Sequence, residues 1–473
     1  MNNLVIDMTH GGVKIAVSLA KKGGNVLAYD IYNTLNIIDR KMLEIYDVWL
    51  LDDLSELKDY KGDVRVIYPI HLPLTFDEIT SNNPDLNYTF TTHHEIVSEL
   101  LEDWGDDIVK IEVTGVKGKT SSVFMLKEIL IDENPLILSS LGALLYENDN
   151  EIILKKDISI APANIKETID LAYKIANPVC KIADGVVESE NLRKYDSAIF
   201  ESSLGVSGIG DVGLLCNISE NYSIAKGRSC AAEAKRQVFR CRNVACEKES
   251  FDMYYSDIKH PNVNTFSLDD ETANLYVENV DYSLDETEIN IKYQNVMTFE
   301  GDILNGSLPV KTFAPGAHHV KNVLGVVLTC LILKIDEDKI IKGLARYRGI
   351  TGRTTKRSKG NSTIIEEINP GINTDAIRQS INMIGDLEGW YIAIGGDYGI
   401  TCEEIDEDKV GEYLNTLESD IILTGDVGSS ILSKMTRDAD YIEDADEIYD
   451  MAVRDGKNLL FIYRSDYHKL SQR

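Results

Sequence analysis

Hydrophobic and polar positions along the chain change between two periods. Short apolar runs bounded by Gly, Asn or Asp read as buried strands, and the stretches between them carry apolar residues at helical spacing. Residues 4–8 predict a first strand, 13–22 a helix ended by Gly23-Gly24, and 25–30 a second strand. That is a β-α-β opening of Rossmann type, continued at 49–51 and 64–68 and broken by Pro69 and Pro73. Its glycine turn, His10-Gly11-Gly12, lacks the G-x-G-x-x-G spacing, so a small domain holding a substrate is expected rather than a dinucleotide site. Residues 77–88 are mostly polar, with Asn and Pro, and predict a loop. Thr92 then offers an N-cap, with Glu95 three residues on, for a helix opening with His93-His94.

The run 108–113 predicts another strand, and it delivers Thr114-Gly115-Val116-Lys117-Gly118-Lys119-Thr120-Ser121 onto a helix bearing Val123, Phe124, Leu126, Ile129 and Leu130. Strand, glycine turn and helix N-terminus form an anion cradle, since exposed N–H groups and the positive helix end face one point. Lys119 supplies a charge for terminal phosphates and Thr120 a hydroxyl for Mg²⁺, which predicts a nucleoside triphosphate site. The loop is a shortened G-x-x-G-K-T, because Val113 stands five before Gly118. Strands at 197–200 and 214–218 follow, the first delivering Glu201, which is placed where a second-strand carboxylate holds Mg²⁺ or merely ends a strand. Residues 265–312 alternate as hairpin material, 323–333 and 340–346 predict helices, and strands at 363–366, 390–394, 421–423 and 458–462 mark a third α/β block. The domains expected are 1–100, 101–350 and 351–473.

Composition narrows the classes. Hydrophobic content of 43% and charged content of 27% suit a globular chain. No run is long enough to span a bilayer and no basic leader precedes the first strand, so a cytoplasmic protein without a membrane partner is expected. Seven scattered cysteines predict free thiols. A net charge of −30 argues against nucleic acid as partner. Against that acidity, two basic islands stand out: Lys226, Arg228, Lys235, Arg236, Arg240 and Arg242, then Arg346, Arg348, Arg353, Lys356, Arg357 and Lys359. They suggest anionic ligands met locally, or surface charges without a role.

Several motifs in order resemble the Mur ligase superfamily, ATP-dependent ligases that activate a carboxylate as an acyl phosphate. The carriers are the loop 114–121, Glu201-Ser202-Ser203, Cys216-Asn217-Ile218-Ser219, Lys235 before Phe239, Gly316-x-His318-x-x-x-Asn322, Arg353 and Ile394-Gly395-Gly396-Asp397. The resemblance implies an α/β, three-domain architecture: an N-terminal Rossmann-like domain, a central P-loop ATPase domain with a β side sheet, and a C-terminal Rossmann-like domain closing over ATP. It implies ATP and Mg²⁺ as cofactors. Residues 114–121, Asn322 and Arg353 would bind ATP, Thr120 and Glu201 would hold the metal, and Lys119, Glu201 and Lys235 would be catalytic. Lys235 is similar to a lysine that many members carry as a carbamate.

The departures fall where the family positions its amine nucleophile. Asn221-Tyr222 stands where peptide-forming members have Asp-His, His319 replaces an Asn, and Glu366-Glu367-Ile368-Asn369-Pro370-Gly371 replaces Asp-Tyr-Ala-His-x-Pro. Asp7-Met8-Thr9-His10-Gly11-Gly12, Thr91-Thr92-His93-His94-Glu95, Asn369-Pro370-Gly371-Ile372-Asn373 and Gly395-Gly396-Asp397-Tyr398-Gly399 resemble one branch, the methanogen ligases of coenzyme F(430) formation. That likeness implies closure of the last carbocyclic ring of a nickel tetrapyrrole, with a polycarboxylate macrocycle as substrate and nickel only as part of it. His10, Gly11, Gly12, His93, His94, Tyr222, His318 and Asn369 are the candidates for substrate contact. An amide ligase of cell-wall or polyglutamate type, a P-loop ATPase without ligation and a regulatory nucleotide binder stand as rivals. The oligomeric state stays open.

Overall fold

The computed structural model describes residues 1–176, 180–182, 185–187, 194–351, 353–399 and 405–465. They form two compact units, one of Met1–Val277, Ile291–Leu308 and Asn322–Gly343, the other of Glu278–Asn290, Pro309–Lys321 and Leu344–Arg473.

The first unit opens with a five-stranded parallel sheet in the order Trp49–Leu51, Asn25–Tyr29, Asn2–Ile6, Asp63–Tyr68, Asn87–Thr92. The strand order reverses between Asn2–Ile6 and Asp63–Tyr68, so a crevice opens beyond their carboxyl ends. The helix Val13–Lys21 buries Ile15, Ala16, Val17 and Leu19 against this sheet and then meets Gly23, whose φ of +82° ends it. The loop expected at 77–88 needs correction at both ends. Thr75 and Glu78 form a complete capping box for the short helix Phe76–Thr80, and Asn87 and Tyr88 already belong to the edge strand. That edge strand sets Tyr88 and Phe90 on the core-facing side and Asn87, Thr89 and Thr91 on the other, an alternation too short and too polar to stand out in the sequence. The capping box expected at Thr92 and Glu95 is present, and the helix His93–Leu100 follows it.

A second sheet carries the strand Val109–Thr114, flanked in parallel by Ser197–Glu201 on one side and Val212–Leu215 on the other. Leu136–Ser139 extends one flank, and Gly142–Glu147 and Asn150–Lys155 fold back antiparallel beyond it. Asn243–Glu247 and Val263–Ser267 extend the other flank in parallel. The strands expected as a side sheet, Leu275–Asp281, Thr287–Met297 and Ile303–Thr312, continue this sheet in series and pass from one unit to the other along the chain. Ile111, Val113, Ile199, Phe200 and Leu214 are fully buried, each contributing roughly 1.5–3 kcal/mol by its burial.

In the second unit a six-stranded sheet runs Thr354–Lys359, Ser362–Ile368, Asn458–Arg464, Trp390–Gly396, Asp420–Thr424, Asp440–Tyr441. Its first pair is antiparallel and the rest are parallel. Ile377, Ile381, Val410 and Ile431 pack one face and Ile448, Tyr449 and Ala452 the other. The helix expected to start at 323 begins earlier, as Ala317–Ile332, so His318, His319 and Asn322 lie on its first turns. Among the described residues no helix is long and apolar enough to cross a membrane.

Candidate active site

The turn after Val109–Thr114 is held by its neighbours on both sides. Thr114 donates its hydroxyl to the Ser202 carbonyl at 3.1 Å, and the Ser202 amide donates to Val113 at 2.9 Å. On the other side Asn217 clamps the loop twice, accepting from the Lys117 amide and donating to the Lys117 carbonyl, both at 3.1 Å. The Val116 amide donates to the Asn217 carbonyl at 3.0 Å. Gly118 then takes φ +84° and caps the helix Lys119–Ile129. A Cβ at Gly118 would stand 2.0 Å from Oδ1 of Asn322, so the glycine is what lets Asn322 lie against the loop. Lys119 folds over the turn, donating to the carbonyls of Gly115 at 3.1 Å and Val116 at 3.3 Å. Ser121 follows Thr120 on the first turn of the same helix.

Thr120 and Glu201 meet directly. The Thr120 hydroxyl donates to Oε1 of Glu201 at 3.1 Å and lies 3.1 Å from the Ser140 hydroxyl, while the Ser140 amide donates to Oε2 at 3.0 Å. Glu201 is 2% exposed. A buried carboxylate and two hydroxyls beside the phosphate cradle form a set of hard oxygen donors, the set that fits Mg²⁺. Glu112 has a structural place instead: its carboxylate accepts from the amides of Ser207, Gly208 and Gly210 and from the Ser207 hydroxyl, at 2.6–3.1 Å. It thereby fixes the turn after Glu201-Ser202-Ser203.

Lys235 is fully buried, and Nζ donates to the Ser203 carbonyl at 2.6 Å with the Tyr222 ring 5.8 Å away. Burial, and then the charge of Lys119, push its amine down to about 7. Asn221 is exposed, and its Oδ1 accepts from the Ala232 amide at 2.9 Å and so helps start the helix Ala231–Lys235. Thus residues 114–121, Glu201, Asn322, Lys235 and Tyr222 gather in one region, joined by Ser140 and Asn217.

The N-terminal candidates separate. His10 is half-exposed and bonded to Asp7, with His71 beside it, and Gly11 and Gly12 complete that turn. His93 and His94 are core side chains instead. His93 contacts the Ile6 carbonyl at 3.1 Å, and burial pushes its ring down to about 4. His94 is buried as well, and burial followed by the charge of His93 takes it to about 3. For both, the expected substrate contact gives way to packing, since the rings are almost wholly buried in the core.

His318, Arg353 and Asn369 belong to the second unit. His318 and His319 lie ring to ring at 3.8 Å, and burial lowers His318 to about 4. His319 contacts the Thr354 hydroxyl at 2.6 Å, Thr354 donates in turn to Glu367, and burial raises Glu367 to about 7 despite the charge of Arg353. Asn369 accepts from the Gly371 amide at 3.2 Å and shapes the turn there. Several basic-island residues pair with acids: Arg236 with Asp257 at 2.6 Å, Arg240 with Glu95 at 2.9 Å, Arg357 with Glu366 at 2.6 Å and Lys359 with Asp450 at 2.8 Å. The anions these four meet are the protein's own carboxylates.

A family model described as the C-terminal domain of coenzyme F430 synthetase CfbE matches residues 356–466. The chain is 28% identical to coenzyme F(430) synthetase of Methanocaldococcus jannaschii, over 94% of this chain and 95% of that one. With the enzyme of that name from Methanosarcina acetivorans the identity is 26%, over 78% and 76%. The fold is that of MurF ligase from Thermotoga maritima, solved in complex with ADP, with a TM-score of 0.55 at 13% identity over 89% of this chain and 98% of that one. The fold is the one the Mur ligases share, and over nearly the full length the sequence is similar to the coenzyme F(430) synthetases. The chain keeps the loop, the acidic strand end and the buried lysine together. Ser140, Glu112 and Asp7 escaped the sequence reading. Ser140 and Glu112 carry no spacing signal, since strand pairing alone brings them in. Asp7, the acid ending the first strand, could have been singled out on the argument applied to Glu201.

Proposed function

We propose that this ATP-dependent ligase activates a carboxylate of a polycarboxylate tetrapyrrole as an acyl phosphate and closes the final carbocyclic ring of coenzyme F(430), giving ADP and phosphate. In this reading the amides of the loop and the N-terminus of Lys119–Ile129 hold the ATP phosphates. Lys119 exchanges its two loop carbonyls for phosphate oxygens and stabilises the charge that spreads as the substrate carboxylate attacks the γ-phosphorus in line. Thr120 and Glu201 would hold Mg²⁺, which supplies further charge neutralisation at the phosphates. A macrocycle carbon that gives up a proton then attacks the acyl carbon, the C–C bond forms, and the acyl C–O bond breaks as phosphate leaves with the former carboxylate oxygen.

Asn322 is assigned to the nucleotide, and Arg353 to the entry of a C-terminal domain that closes over it. His10, Gly11, Gly12, Tyr222, His318 and Asn369 are kept as substrate-side candidates, with nickel only as part of the substrate. We keep the division into 1–100, 101–350 and 351–473, each segment holding one of the large sheets. The free thiols at Cys216, Cys241 and Cys246 support a reducing, cytoplasmic setting, with no nucleic-acid or membrane partner proposed.

The observation that carries this reading is an intact activating loop beside an altered acceptor strand end. Asn221 caps a helix and Tyr222 faces Lys235 where amide-forming members place an acid and a histidine. Lys235, held near 7, keeps a neutral amine in supply, while the chemistry proposed has no incoming amine to deprotonate. The test is ADP release with the nickel seco-tetrapyrrole acid, with and without a panel of amino acids. Release that depends on the tetrapyrrole alone supports the cyclase. Release that depends on an added amino acid supports the amide ligase, and release without any carboxylate supports a plain ATPase.

A further inference from the structure

The first strand ends in a residue whose backbone is held where side chains rarely go. Asp7 has φ 74° and ψ 99°, a conformation that costs on the order of 1–3 kcal/mol and persists only where the surroundings enforce it. Gly12 permits it, since a Cβ there would lie 2.0 Å from the Asp7 carbonyl oxygen. The twist sends the Asp7 carboxylate back over the following turn. Oδ1 accepts from the amides of Thr9 at 2.8 Å and His10 at 3.3 Å, which leaves Oδ2 for other partners.

Two imidazole nitrogens reach that oxygen. His10 Nδ1 lies 2.7 Å from Oδ2, His71 Nε2 lies 3.3 Å from it, and the two nitrogens are 3.1 Å apart. As hydrogen bonds the triangle is over-subscribed. If both rings donate to Asp7, two N–H groups crowd one another; if one donates to the other ring, it is lost to the carboxylate. As a ligand set the triangle is close to what an ion needs. For bonds of about 2.0–2.1 Å, neighbouring ligand atoms in octahedral or tetrahedral sites stand roughly 2.9–3.4 Å apart, a range that holds the 3.1 and 3.3 Å sides and that the 2.7 Å side falls just short of. The carboxylate is fully buried, while His10 keeps 48% of its side chain exposed, so further coordination positions face outward.

We propose that Asp7 Oδ2, His10 Nδ1 and His71 Nε2 bind one borderline divalent transition ion, of the Zn²⁺ or Co²⁺ kind, with open positions for water or a ligand carboxylate. Two imidazoles and one carboxylate are the donor mixture such ions select over Mg²⁺. The nickel of a tetrapyrrole is a different case, because a macrocycle leaves one axial position on each face and three converging atoms cannot share it. The site therefore stands independently of the cyclase reading.

The test uses the full-length chain stripped with a chelator and given Zn²⁺ or Co²⁺ alone, without ATP or substrate. One equivalent of Zn²⁺ should be retained through gel filtration, and Co²⁺ should show d–d absorption of a low-coordinate site that Zn²⁺ displaces. His71→Ala and Asp7→Asn should each weaken binding at least about tenfold, while Lys119→Ala and His318→Ala leave it unchanged. Should Asp7→Asn fail to fold, His71→Ala with the Co²⁺ spectrum carries the test. Failure of the wild-type chain to retain either ion would overturn the proposal and leave a hydrogen-bonded Asp–His–His cluster. Undiminished binding in His71→Ala, or loss in His318→Ala, would overturn it equally.

Discussion

The phosphate loop and the Asp7–His10–His71 cluster both lie at the carboxyl end of a central parallel strand, yet they are assembled in opposite ways. The loop is contiguous, from Thr114 to Ser121, and its neighbours only brace it, through Asn217, Ser202 and Asn322. The cluster gathers a strained Asp7, a turn residue and a histidine from beyond the fourth strand. A phosphate needs many backbone donors, which a turn supplies locally. A cluster of side-chain ligands needs only three atoms, and they can come from anywhere the sheet brings together.

Lys119→Ala separates the two centres most sharply. It should lower ADP release by about 10³-fold or more, because transition-state charge is then left to the amides and the Mg²⁺ that Thr120 and Glu201 would hold. Zn²⁺ binding at the N-terminal cluster should be untouched. A coupled ADP assay and a Zn²⁺ titration on one preparation would show both, and a variant with full turnover would remove the loop from the chemistry.

Bracing rather than chemistry is tested next at Glu112. Glu112→Ala leaves three amides, two of them buried, without their acceptor and should cost roughly 3–5 kcal/mol in denaturant unfolding. A loss under about 1 kcal/mol would mean that the turn after Glu201 does not rely on it.

The histidines of the N-terminal sheet differ in the same spirit: His10 is exposed and paired, His93 and His94 are buried. The two buried rings have folded values of about 4 and 3 against an ordinary 6.5, so on acidification the unfolded chain takes up protons first. Stability should be full above pH 6.5 and fall as pH drops toward 4, by on the order of 3 kcal/mol per ring at most. Melting temperature against pH would trace this, and His94→Leu should flatten the slope. An unchanged slope would place His94 in contact with solvent.

Glu201→Gln should have the smallest effect of the four, about 10²-fold in kcat with a raised Mg²⁺ requirement, since Thr120 and Ser140 remain. A Mg²⁺ titration of ADP release checks it, and an unaltered requirement would move the metal elsewhere.

How far the sequence could be read follows from the same contrast. Strands at 109–114, 197–201 and 390–396 announce themselves because both faces are buried, and the loop announces itself because its chemistry is contiguous. The short helix Phe76–Thr80 and the edge strand Asn87–Thr92 were hidden in polar sequence, one set by a capping box and the other by a neighbouring strand. Ser140 and Glu112 are ordinary residues until strand pairing brings them to Thr120 and to the turn at Ser207. The histidine pair at 93–94 misled for the complementary reason: adjacency in sequence suggested a site, and burial made it core.

The central claim is that the carboxylate activated over Lys119 is captured by carbon, not by an amine. The direct measurement is to incubate the chain with ATP, Mg²⁺ and the nickel seco-tetrapyrrole acid and to follow tetrapyrrole mass together with ADP. The account predicts loss of one water from the macrocycle for each ADP formed, with no amino acid present. ADP formed without a change in macrocycle mass, or a mass gain equal to an added amino acid, would contradict it.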